Sequence, residues 1–330
     1  MIPIERARRL VVVLAVPALL LTAACGSDDG GSESSDPEGP VATVTGEAGE
    51  PPEITLEDGA QAGSESVVEV LSEGDGDEVQ DGDFLRVDVV GRVLEADMEL
   101  LNTWNGNPQA PEDAPRTQFV VQVGAAASMP EAATTPLVGT KVGSRVQVEG
   151  PVSDMLGPGA AQAGIEEDDG VVWVFDIAAA SDVDPAAHAE GDQAAVDEGL
   201  PEVEVGDAGP TITVPEGEDP PSELRQQTLI EGEGPVVEAG DGLIAHYTGV
   251  LWDGGEQFDS SWEREMPSGF QIGTGSVVPG WDEGLVGKKV GDRVLLVIPP
   301  DLGYGEQEAG NGAIPAGSTL VFVVDIVGLV

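Results

Sequence analysis

After residue 24, the apolar positions of this chain occur as short β-branched or alternating runs, each bounded by glycine or proline, and never as a long amphipathic stripe. Runs of that length and makeup predict strands. In the last third of the chain they cover Leu243 to Leu251, Phe270 to Ile272, Arg293 to Ile298 and Thr319 to Val327. One short segment, Pro279 to Val286, reads as helix. Pro279 suits a first turn, Asp282 and Glu283 sit near the positive end, and Gly287 marks the stop. The expected fold class is α+β, an antiparallel β-sheet wrapped around one short helix.

The pattern occurs twice. Glu73-Gly74-Asp75-Gly76 returns as Glu231-Gly232-Glu233-Gly234, and the same displacement carries Asp83 onto Asp241, Gly91 onto Gly249 and Trp104 onto Trp262. Further on, Leu137 to Val146 echoes Leu285 to Val294, and Val171 to Ile177 echoes Leu320 to Ile326. Two copies at so long a period indicate tandem domains rather than a solenoid. The expected boundaries are 49–182 for the first copy and 207–330 for the second, joined by an acidic linker over 183–206.

The N-terminus reads as an address. Arg6, Arg8 and Arg9 precede the apolar run Leu10 to Leu21, which is interrupted by Pro17 and followed by Thr22, Ala23 and Ala24, the three-part form of a secretory signal that is removed. The chain's single cysteine follows at once. Leu21-Thr22-Ala23-Ala24-Cys25 resembles the lipobox of bacterial lipoproteins, with Thr22 where the pattern usually has leucine. That resemblance implies a lipidated Cys25 holding the protein to the outer face of the cell membrane. Residues 25–48, rich in Ser, Gly, Asp, Glu and Pro, are expected to form a disordered acidic tether.

Composition narrows the function classes. Sixty-two acidic residues face 13 basic ones, for a formal charge of -49. A chain so charged repels phosphate, which excludes a nucleic-acid-binding role. The 46 glycines and 25 prolines agree with many turns. His188 and His246 are the only histidines, with no cysteine near either, so metal-ligand spacing is missing from the sequence, as is a phosphate-binding glycine loop.

In the second copy, Tyr247-Thr248-Gly249, Phe258-Asp259-Ser260-Ser261, Val277-Val278-Pro279-Gly280-Trp281 and Tyr304-Gly305 occur in that order. Their spacing resembles FKBP-type peptidyl-prolyl cis-trans isomerases, here in the form of an exported, actinobacterial-like lipoprotein with two such domains. By position, the resemblance implies catalytic roles for Tyr247, Phe258, Asp259, Trp281 and Tyr304, with Trp281 as the floor under the substrate proline. It implies substrate-binding roles for Arg264, Phe270, Val277, Val278, Ile314 and Phe322. Arg264 would orient Asp259, and the Tyr304 hydroxyl would meet a substrate carbonyl. Neither metal nor cofactor is implied, and the partners would be proline-containing polypeptides and macrolide ligands. Phe270 or Phe322 taken alone could equally be core packing, whereas the place of Trp281 beside Pro279-Gly280, in register with the three other motifs, favours the pocket floor over plain packing.

Such a reaction suits an apolar cup. Rotating an X-Pro imide bond changes no covalent partner, and its barrier of about 20 kcal/mol reflects lost amide resonance. The twisted carbonyl is less polar than the planar one, so a dry pocket favours the transition state. Two departures from the family stand out: Ser268 occupies a position where many members have an aromatic, and the acidic loop Gly305 to Pro315 is longer. The first copy has lost the site, with Val89 standing for Tyr247, Leu100-Leu101 for Phe258-Asp259, about Ala132 for Trp281 and Pro158 for Tyr304. The expected activity is isomerisation by the second copy in the folding of exported proteins. The alternative is an adaptor that binds proline-containing segments without significant turnover.

Overall fold

The strands Arg293–Ile298 and Leu320–Leu329 are apolar at nearly every position because both of their faces are covered. Leu320, Phe322, Val324 and Ile326 face one cluster, while Val321 and Val323 face another with Leu295 and Val297. That explains continuous apolar runs where a half-exposed sheet would alternate. The computed structural model describes residues 39–330 apart from 57–62, 109, 127–128, 157–159, 161–163, 167–168, 207–208 and 216. The expected signal segment and Cys25 lie outside the described residues.

Two six-stranded antiparallel sheets have the same strand order. In the second, Arg225–Ile230, Arg293–Ile298, Leu320–Leu329, Gly242–Leu251 and Gln257–Ser260 are neighbours in that sequence, and Ser268–Gln271 also pairs with Gly242–Leu251. In the first, the order is Val67–Ser72, Arg145–Pro151, Gly170–Ser181, Phe84–Val93 and Met98–Asn102, with Phe119–Gln122 on Phe84–Val93. This is the tandem α+β architecture expected from the sequence.

The helix of the second unit, Pro279–Leu285, packs on its sheet through glycines. A Cβ on Gly280 would meet Ile298 at 2.5 Å and one on Gly284 would meet Leu296 at 2.7 Å. The missing side chains therefore set how closely the helix lies on the sheet. Its counterpart in the first unit, Glu131–Thr134, is a single turn that runs into a 3₁₀ turn at Thr135–Leu137.

The duplication extends to polar contacts. Buried Arg145 grips Asp176 through Nε at 2.6 Å and Nη2 at 2.7 Å, and buried Arg293 grips Asp325 at 2.6 Å through both. Thr103 Oγ1 accepts from the Val89 amide at 3.0 Å just as Ser261 Oγ accepts from the Tyr247 amide at 2.8 Å. The matched tryptophans take different partners: Arg116 lies 4.2 Å above Trp104, whereas His246 stacks on Trp262 at 4.2 Å.

Two segments differ from expectation. Within the proposed tether, Ala42–Thr45 pairs with Glu53–Leu56, and this hairpin covers the outer face of the first sheet with Ala42, Val44, Ile54 and Leu56 against Val172 and Val174. Within the proposed linker, Glu202–Gly206 pairs with Gly209–Thr213, and Leu200, Val203 and Ile212 pack on the outer face of the second sheet. Each salt bridge pins its covering segment. Asp176 Oδ2 accepts from the Gly49 amide at 2.8 Å, and Asp325 Oδ2 accepts from the Ala189 amide at 2.9 Å. These strands carry acidic side chains on the solvent face and apolar ones on the other, so the acidic linker over 183–206 also packs on the second sheet through Leu200 and Val203.

Candidate functional site

The concave side of the second sheet holds a ring of aromatics around Trp281. Its indole meets Tyr247 edge-on at 5.6 Å, Phe270 at 5.1 Å and Phe322 at 5.3 Å between ring centroids. Phe258 meets Phe322 edge-on at 5.4 Å. These separations and tilts are those aromatic rings prefer, so the cluster holds its own shape. Above it opens a cavity of about 380 Å³ lined by Tyr247, Phe258, Asp259, Phe270, Val277, Val278, Trp281, Tyr304, Ile314 and Phe322, together with Ser276, Gly310 and Ala313.

Local chemistry places each wall. Tyr247 projects from the buried strand Gly242–Leu251, next to Gly249. A Cβ at Gly249 would meet Phe258 at 2.7 Å and Phe322 at 2.8 Å, so only glycine lets those two rings close over the strand. Val277 and Val278 follow a turn fastened by Asp282, whose carboxylate accepts from the Gly273 amide at 2.6 Å and the Gly275 amide at 2.8 Å. Burial pushes the Asp282 pKa up, against the pull of those two amides. Ile314 is held by its bridge to Ala309 across the acidic loop.

One edge of the cavity is polar. The Tyr247 hydroxyl donates to Asp259 Oδ2 and accepts from Arg264 Nη2 at 2.9 Å, while Arg264 Nη1 donates to Asp259 Oδ1 at 2.5 Å. Burial first, and the Asp259 hydrogen bond second, push the Tyr247 pKa up to about 12, so it remains a phenol at any physiological pH. Tyr304 stands at the mouth, 43% exposed, its pKa also raised by burial and by the charge of Asp259. Ser268, in place of an aromatic, lies 3.5 Å from Arg264 Nη2. Trp281 Nε1 is buried without a hydrogen-bond partner among the described residues.

All the residues singled out in the second copy come together here; Arg264 alone stands outside the lining, touching it through Asp259 and Tyr247. Sequence reasoning missed two supports. Ser261 fixes the backbone of Tyr247, and although it lay within the Phe258-to-Ser261 motif, its role depends on a strand pairing that the motif does not reveal. Asp282, expected only at the helix end, also ties the preceding turn. His246 is buried behind the site, its Nε2 2.8 Å from the Pro185 carbonyl and its Nδ1 3.0 Å from Ser261 Oγ, and burial lowers its pKa.

In the first unit the equivalent space is filled differently. Trp173 stands where Phe322 does, and a Cβ at Gly91 would meet its ring at 2.1 Å, so the indole lies directly on the strand. Val89, Leu100, Leu101 and Ala132 join the hydrophobic core of that unit, and Pro158 lies outside the described residues. Among the described residues of the chain, no three His, Cys, Asp or Glu side chains gather to hold a metal ion.

The sequence profile described as FKBP-type peptidyl-prolyl cis-trans isomerase matches residues 234–327. A protein named FK506-binding protein from Streptomyces anulatus is 48% identical over 120 residues, which cover 36% of this chain and 96% of that protein. FK506-binding protein 2B of Rhizopus delemar is 49% identical over 114 residues, covering 33% of this chain and 53% of its own length. Among solved structures, FkpA from Escherichia coli is 34% identical, with 40% of this chain and 52% of that one covered and a TM-score of 0.30.

Proposed function

This chain belongs to the FKBP-type peptidyl-prolyl cis-trans isomerases, and from that premise we propose that its second unit performs the reaction in the Trp281 pocket, on exported polypeptides, while a lipid on Cys25 keeps it at the membrane. The observation that carries the pocket assignment is the aromatic cup itself, with the Tyr247 and Asp259 pair on one rim and Tyr304 on another.

The mechanism follows from what the cup excludes. Water stabilises a planar imide by hydrogen bonding to its polar carbonyl, and an apolar enclosure withdraws that support from the ground state more than from the twisted one. A proline ring seated on Trp281 leaves the preceding carbonyl free to turn among Tyr247, Phe258 and Phe322. The phenol of Tyr304, half-exposed at the mouth, supplies a donor for a neighbouring substrate carbonyl and so fixes one end of the peptide while the other rotates. Macrolides of the kind named for the relatives would use the same cup.

Removing the Tyr304 hydroxyl tests turnover apart from binding. Tyr304→Phe should lower kcat/KM on a proline tetrapeptide roughly three- to tenfold, the worth of one hydrogen bond of about 0.5–1.5 kcal/mol. An adaptor would instead bind the peptide and show no pocket-dependent rate in either protein. For the anchor, the Leu21 to Cys25 pattern supports lipidation. Two acyl chains hold a protein stably, each buried methylene adding about 0.8 kcal/mol. Cells fed a labelled fatty acid should label the wild-type chain and leave Cys25→Ser unlabelled; an unlabelled wild type would reject the anchor.

A further inference from the structure

The first unit lacks the cup, yet it is built against the wall of the one in the second. Phe84 and Val120 of the first pack with Ile244 of the second, flanked by Val327 and Val330. A side chain at Gly269 would strike Val120 at 2.4 Å, so the strands Phe119–Gln122 and Ser268–Gln271 lie close together. Directed hydrogen bonds fix the seam: Arg86 Nη1 to the Gly240 carbonyl at 2.8 Å, the Gln118 amide to Gln271 Oε1 at 2.7 Å, and Asn107 Nδ2 to the Gly275 carbonyl at 2.7 Å. The last falls on the turn that Asp282 also ties and that leads into Ser276, Val277 and Val278.

Beside this seam lies a second cavity, of about 440 Å³, with walls from both units. The first contributes Leu101, Asn102, Thr117 and Phe119 among others; on the second, Phe270, Ser276 and Val277 line this cavity and the aromatic cup alike. None of its lining residues is charged, in a chain with 62 acidic residues. Apolar surface mixed with hydroxyl and amide groups is what a neutral, extended polypeptide meets best, since every residue brings a backbone donor and acceptor along with its side chain.

We propose that this groove binds the neutral segment flanking the target proline, so that the first unit serves as the outer half of the substrate site. The proposal rests on the reading that the second unit's cup is where isomerisation occurs. Contacts remote from the reacting bond can be used to hold it in place, so the groove should matter for long substrates and be silent for those too short to reach it.

Two peptides with the same X-Pro core separate the cases in the full chain: a tetrapeptide, and a longer one extended on both sides by neutral residues. Wild type should favour the longer peptide in kcat/KM. Thr117→Glu, which puts a charge in the groove, should cost about tenfold on the longer peptide, mainly through KM, equivalent to about 1.4 kcal/mol. Thr117→Ser should restore it, and the tetrapeptide should be turned over equally by all three. The proposal is overturned by a wild type with no length preference, by a variant whose losses are equal on both peptides, or by a variant that loses on neither. A wild type that accelerates neither peptide would instead overturn the underlying reading of the cup, and the groove with it.

Discussion

Trp281→Ala should reduce isomerisation by the full chain on the order of a hundredfold, since losing about 3 kcal/mol of pocket complementarity removes about two powers of ten in rate. The indole touches Tyr247, Phe270 and Phe322, so its removal empties the centre of the cup as well as its floor. The same substitution should lower unfolding free energy by about 3–5 kcal/mol, the usual range for deleting a buried large aromatic. Trp281→Phe distinguishes the two effects. It keeps a ring on the floor, so it should recover most of the stability and a large part of the rate, as read by denaturant midpoint and by peptide isomerisation side by side. Full activity in a folded Trp281→Ala protein would mean that substrate proline sits elsewhere.

The second large effect lies at Arg293. Its guanidinium is buried and bound through Nε and Nη2 to Asp325, itself 1% exposed. Arg293→Met leaves that carboxylate without its counter-charge, and breaking such a pair from one side costs about 3–5 kcal/mol. With a urea dependence of about 1–3 kcal/mol per molar, the midpoint of the second unit should fall by more than about 1 M. Replacing both partners, Arg293→Met with Asp325→Leu, should regain most of the loss, because no charge is then stranded. A double variant no more stable than the single one would show that the covering segment, which Asp325 holds through the Ala189 amide, is the larger loss.

The sequence was most legible where function and local chain coincide. The motifs around Tyr247, Phe258, Trp281 and Tyr304 are contiguous, and the strand and helix patterns around them came through with ends displaced by one or two residues. The expected helix Pro279 to Val286 ends at Leu285, and the strand expected from Thr319 to Val327 runs Leu320–Leu329. What escaped were elements buried on one face only. Glu202-Val203-Glu204-Val205 alternates as a strand should, but its acidic residues give it the composition of a solvated linker while a single valine, Val203, packs beneath. The short edge strand Gln257–Ser260 carries too few apolar residues to signal itself, although it brings Phe258 and Asp259 to the cup.

The seam between the units left no local trace at all. Asn107 and Gly275, or Gln118 and Gln271, are far apart in the chain and ordinary in type, and only the folded arrangement makes them partners. The substitutions at matched positions in the first copy were readable in the sequence, whereas their packing was not: over Gly91 lies the single indole of Trp173, where Phe258 and Phe322 share the space over Gly249.

The decisive measurement is the exchange rate between cis and trans forms of an X-Pro peptide with the whole wild-type chain added, followed by nuclear magnetic resonance together with the side-chain signals of the protein. Exchange should quicken in proportion to added chain, and the signals that shift should belong to Tyr247, Phe258, Trp281 and Tyr304. Exchange at the spontaneous pace, or acceleration accompanied by shifts confined to Trp173 and its neighbours, would contradict the assignment of the reaction to the second unit.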